Sequence, residues 1–170
     1  MKRGEPSKII LHISKRPGKK ELEAVQKALQ DFGHDIPYAL IHLNEYSNFR
    51  IFDSTHPTYI PPKGLLVRLS SLEVLIVNRG RLNGWTKVGM PRVLNVRMDK
   101  RSTVNASEFL DLAKNVHDLC YVNWRGFNAK SIPITLNYSK LIATMIKNIG
   151  AKKWNDLVTK GKLRDKSWYL

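Results

Sequence analysis

The chain of 170 residues has one cysteine, Cys120. A lone thiol excludes an intrachain disulfide and any zinc site built on several cysteines. Cys120 sits between Leu119 and Tyr121 at the apolar end of a helical pattern, so it reads as a small buried hydrophobe, and the expected compartment is the cytoplasm. Long apolar runs are missing as well. No stretch approaches the length of a transmembrane helix and no N-terminal segment has the architecture of a signal peptide, so no membrane partner is expected. The sequence also lacks a glycine-rich loop of the Walker or dinucleotide type, an HExxH pair, and any recognisable Ser-His-Asp or Cys-His arrangement.

Acidic residues are scarce: 14 Asp and Glu stand against 29 Lys and Arg, a formal net charge of +15. A field of that sign and size points to a polyanionic partner, and with no membrane segment in view the polyanion is nucleic acid. Solubility alone is the blander account of the charge. With 42% hydrophobic residues the chain can bury one core but not two, so residues 1–170 are read as a single domain.

The apolar run Lys8 to Ser14 (KIILHIS) has the near-continuous character of a strand covered on both faces and reads as a central strand of a parallel sheet. A turn with a Pro-Gly pair follows, carrying Lys15 and Arg16 to the strand's C-terminal end, where open α/β sheets bind ligands. Leu22, Val25, Leu29 and Phe32 then mark one face of a helix that Gly33 should stop, and Ile36 to Leu43 reads as a second buried strand. This strand, helix, strand unit predicts a right-handed crossover and two parallel strands.

Beyond Glu45 the pattern breaks into short pieces. Phe49 to Phe52, Gly64 to Leu69, Glu73 to Asn78 and Val93 to Met98 are strand candidates in antiparallel hairpins that extend or flank the sheet. Trp85, in the basic turn Asn78 to Lys87, can either stack on a base or anchor the turn. Asn105 and Glu108 resemble a capping box ahead of the stripe Phe109, Leu112, Ala113, Val116 and Leu119. A further helix is expected from Tyr138, with Gly150 as its stop, and the basic tail ends in an aromatic SWYL that reads as docked.

The stretch LCYVNWRGFNAKSIPITLNYSKLIATMI, Leu119 to Ile146, gathers the groups that can touch phosphate. Asn123, Arg125 and Lys130 lie in one loop, and Asn137 and Lys140 lie at the start of the last helix. Trp124 is placed in the core and Arg125 on the ligand. Of the five histidines, His12 and His42 lie on the two parallel strands and read as hydrogen-bonded strand residues. A two-metal nuclease needs carboxylates converging at strand ends, whereas Ser14, Lys15 and Arg16 follow the first strand here.

The order ILHISKRP, helix, YALIHLNE, strand meander, LCYVNWRGFNAKSIPITLNYSKLIA and terminal WYL resembles the C-terminal half of the PIWI domain of prokaryotic Argonaute proteins of the short archaeal Piwi type. The resemblance runs from about Lys8 onward, with NWRGF and PITLNYSKL its specific part. It implies an α/β fold, a partial RNase H-like domain with a mixed sheet and flanking helices, lacking the MID domain and the first half of PIWI. Active members hold two metal ions with an Asp, a Glu, a second Asp and a final Asp or His. By the resemblance the second Asp falls at Ser14 and the final residue at Lys140, so no catalytic residue is expected and the chain is not expected to be an enzyme. The only cofactor implied is a divalent cation shared with a guide's 5′ phosphate and held by the terminal carboxylate of Leu170. The partners implied are a guide and a target strand, together with a MID-containing protein in a hetero-oligomer or a second copy in a homodimer. Two functions follow: an inactive, split Argonaute-like subunit in host defence, or a stand-alone basic protein that binds RNA or DNA without a guide.

Overall fold

The structure is a computed structural model that describes residues 6–31, 36–82, 89–122, 130–159 and 161, with only the backbone of Ala151. Five strands form one mixed sheet in the order β1-β2-β5-β4-β3, where β1 is Ile9–Ile13, β2 Tyr38–Asn44, β3 Leu66–Ser70, β4 Glu73–Ile76 and β5 Leu94–Met98. β1 and β2 are parallel, with Ile13 opposite His42, and helix α1 (Lys19–Asp31) connects them. The other pairings are antiparallel, as the meander of short pieces predicts.

β1 is an edge strand, not a central one. Its residues are apolar enough for burial on both sides, yet among the described residues it pairs only with β2 and each of its five positions stays half-buried. β2, with a neighbour on each side, buries five of its seven residues. The Phe49 to Phe52 segment forms no strand; it belongs to the long loop between β2 and β3.

Alternation along the strands divides the core between the two faces of the sheet. Ala39, Ile41, Leu43, Val74, Ile76, Leu94, Val96 and Met98 meet Phe109, Leu112, Ala113 and Val116 of α2 (Phe109–Leu119), and Leu136 of α3 (Ile134–Ile149). On the opposite face Leu40 and Tyr38 pack with Leu22 of α1, while Leu75, Val77 and Val93 take Ile51, Leu65 and Val67. Asn105 caps a short 3-10 turn, Ala106–Glu108, by accepting from the Ser107 N–H at 2.9 Å, and α2 follows at once.

α3 begins at Ile134, four residues before the expected Tyr138, because Pro133 takes the extended N-cap conformation and the apolar ITL continues directly as its first turn. Gly150, at φ 81, ends α3 as expected, but α4 (Ala151–Thr159) forms immediately after it in what reads from sequence as tail. Gly33, Trp85, Asn123, Trp124, Arg125 and the SWYL terminus with Leu170 lie outside the described residues.

Candidate nucleic-acid interface

The parallel pair brings two chain turns to one end of the sheet. β1 releases the chain at Ser14, Lys15 and Arg16, and β2 releases it at Glu45. The turn after β1 is closed by the Gly18 N–H donating to Glu21 Oε2 at 2.7 Å, which starts α1. Ser14 and Lys15 line a cleft of about 460 Å³ with Leu136 and Ser139 of α3, so the position after the first strand and the last long helix do meet.

Lys140 lies nearly two turns into α3, and its Nζ donates to Glu45 Oε1. Glu45 also accepts from Ser131 Oγ at 3.4 Å. The ammonium group thus reaches the end of β2, its charge met by a carboxylate 95 positions away. Lys130 projects into solvent while its backbone N–H donates to Cys120 O at 2.9 Å. Asn137 is half-buried within the first turn of α3, its N–H bonded to Pro133 O, rather than exposed ahead of the helix.

Arg16 joins a second polar group on the α1 side of the sheet. His42 lies opposite Arg97 of β5. Burial first, then the nearby Arg16 guanidinium, pushes the His42 pKa down, while a hydrogen bond with the Ser14 backbone pulls it the other way. Asp99 receives two 2.8 Å hydrogen bonds from Arg101, which hold its carboxyl at about 2. Arg101 also donates to Pro17 O at 3.2 Å, tying the Lys15–Gly18 turn to the end of β5. The two strand histidines do not face each other. Because Ile13 and not His12 pairs with His42, they project from opposite faces, and His12 instead bonds Thr135 Oγ1 at 2.7 Å.

These residues do not fit a pair of divalent cations. The Ser14 cleft is lined by one carboxylate, Glu21, which accepts from the Gly18 N–H, and the carboxylate at the end of β2, Glu45, is held by the Lys140 ammonium. Among the described residues no group of three or more His, Cys, Asp or Glu side chains could hold a metal. Glu45 itself carries no local signal in the sequence: it is a single acid at a strand end, and its partner is reached only through the fold.

A family model described as the Piwi domain matches residues 1–150. A Piwi protein of Archaeoglobus fulgidus is 29% identical over 183 residues, covering 96% of this chain and 42% of the relative. The chain therefore spans less than half the length of that relative. Three solved Argonaute structures share the fold, each over 82% of this chain. Clostridium butyricum Argonaute bound to a guide DNA and a 19-mer target DNA has a TM-score of 0.62 at 18% identity, with 17% of its chain covered. The C-terminal lobe of a budding yeast Argonaute scores 0.64 at 14% identity with 32% covered, and Marinitoga piezophila Argonaute in complex with 5′ OH guide RNA scores 0.59 at 14% with 19% covered.

Proposed function

The chain belongs to the Piwi domain family, and from that premise we propose that it is a catalytically inactive Argonaute-like subunit that helps to hold a guide strand and its paired target. The observation that carries this reading is the Lys140–Glu45 ion pair at the end of β2, on the helix whose Ser139 lines the Ser14 cleft, where a cutting member of the family needs carboxylates. With Glu45 held by the Lys140 ammonium, that carboxylate is not free to ligate a divalent cation. Lys15, Arg16 and Lys130 are exposed enough to meet backbone phosphates, Asn137 and Lys140 are half-buried, and Asn123, Arg125 and the Leu170 carboxylate complete the proposed set. In this reading the chain is the C-terminal part of a PIWI domain, working in the cytoplasm. A MID-containing partner brings the MID domain and the first half of PIWI, and the terminal carboxylate of Leu170 helps to hold a divalent cation at the guide's 5′ phosphate. The edge of β1 that has no strand partner among the described residues supports such a partner, since an unpaired apolar strand is a template for pairing.

The test compares affinity for a 5′-phosphorylated strand with that for the same strand ending in 5′ hydroxyl, with and without the MID-containing partner. The expected result is a preference for the phosphate only in the complex, and no cleavage of a paired target with magnesium or manganese. Equal affinities throughout would remove the guide, and metal-dependent cutting by the complex would overturn the inactivity. A stand-alone basic binder is the second reading. It is favoured by the net charge of +15, which resides on this chain alone and needs no partner to attract nucleic acid.

A further inference from the structure

The loop between β2 and β3 leaves its aromatic rings in solvent. Tyr46 is 72% exposed, Phe49 47%, Phe52 62% and Tyr59 57%, and among the described residues these are the only exposed aromatic side chains. The loop is able to bury apolar groups: Ile60 is buried, and Ile51 packs against Leu75, Val77 and Val93. It places aliphatic side chains inside and rings outside.

The backbone that carries the rings is held by its own hydrogen bonds. The Tyr46 N–H donates to Asn44 Oδ1 at 3.0 Å and the Phe49 N–H to Ser47 Oγ at 3.2 Å. The Asp53 N–H donates to Tyr59 O at 3.0 Å and the Tyr59 N–H to His56 O at 2.9 Å. These last two bonds hold Tyr59 in the left-handed region, at φ 55, which a bulky residue rarely adopts. Rings on an ordered backbone lose little freedom when a ligand stacks on them.

Charge selects the ligand. Arg50 is exposed and lies between Phe49 and Phe52 in the chain, one guanidinium nitrogen bonded to Ser47 O and Phe49 O. The single acid between Tyr46 and Gly64, Asp53, is neutralised by Arg81 at 2.9 Å. An apolar protein surface would bury the Arg50 charge without a counterion, whereas a single nucleic-acid strand supplies both π faces and phosphates.

We propose that Tyr46, Phe49, Phe52 and Tyr59, with Arg50, form a stacking surface for unpaired bases of a single strand. The proposal rests on the nucleic-acid reading above and adds to it a contact to bases rather than to backbone.

The test uses the full chain and fluorescence anisotropy at low salt, with a labelled oligothymidine and an abasic strand of the same length. The wild-type chain should bind the oligothymidine more tightly than the abasic strand. The double variant Phe49→Ala/Phe52→Ala should lose on the order of tenfold or more in affinity for oligothymidine and keep its affinity for the abasic strand. Phe49→Leu/Phe52→Leu should lose affinity as well, because leucine keeps apolar area without a ring; unchanged circular dichroism confirms that both variants fold. Leucine variants that bind like wild type, or alanine variants with undiminished affinity, overturn the proposal. So does a change of oligomeric state in the variants with binding intact, which would assign the rings to a second copy. If the wild-type chain binds both strands equally, stacking fails and backbone binding stands; if it binds neither, the nucleic-acid reading falls with it.

Discussion

Lys140 shows how a single side chain changes meaning with its neighbour. On its own, a lysine two turns into a helix is a solvated charge. Beside Glu45 it becomes one half of a pair that closes the end of β2 onto α3. The Lys140 side chain is 40% exposed, so the pair contributes modestly, and Glu45→Gln should cost about 0.5–1 kcal/mol in chemical denaturation. Asp99 is a better reporter of pH. Hydrogen bonds from Arg101 lower its folded pKa from 3.8 to about 2, so the ionised form favours the folded state. That stability is present in full above the ordinary carboxylate pKa and is lost as pH falls from about 4 through about 2. Asp99→Asn should lower Tm at pH 6, and its Tm should fall less than the wild type's between pH 4.5 and 2.5, roughly the window of this titration. Cys120, buried and bonded to Val116 O, has its thiol pushed up to about 12. It should resist a disulfide reagent in the native protein and react fully in denaturant; rapid native reaction would contradict its burial.

At the scale of elements, the loop carrying the exposed rings depends on one close backbone approach. A Cβ on Gly80 would stand 2.5 Å from Pro61 O and 2.6 Å from Lys63 N, both backbone atoms that cannot swing aside. Gly80→Ala should therefore cost about 1–3 kcal/mol in urea unfolding, against little change for Ala at the open Gly89. Helix faces were legible in sequence because apolar residues recur locally: Leu22 and the Phe109 to Val116 stripe are buried as their spacing predicts. The status of β1 was not. A run such as IILHI states how much of a strand prefers burial, but whether a neighbour lies on each side is a property of chain topology. The early start of α3 escaped for a related reason. Pro133 followed by ITL suits either an extended segment or a helix entry, and packing of Leu136 into the core decides for the helix.

For the whole molecule the governing quantity is charge. With a net charge of +15, binding to any nucleic acid should weaken steeply with salt, and a plot of log affinity against log salt should have a slope of roughly −0.9 for each duplex phosphate neutralised. A flat plot between 50 and 200 mM salt, roughly the range where counterion release dominates, would remove the electrostatic account. The edge of β1, without a second strand partner among the described residues, makes a second prediction at this scale. Light scattering on the isolated chain at about micromolar concentration should show self-association or aggregation that a strand-donating partner suppresses. A stable monomer would argue that the edge needs no cover.

Composition alone determined the sign of the protein's charge, and with it the sign of the proposed partner, because net charge is a sum that folding does not alter. Local periodicity determined the α/β class and most of the core, because burial on one face of a helix or strand repeats within a few residues. The strand order, the bonding of Lys140 to Glu45, the separation of His12 and His42 onto opposite faces and the outward display of the loop's rings were decided by tertiary structure. Each depends on residues far apart in the chain or on the registry of neighbouring strands, and such contacts exist only once the sheet has assembled.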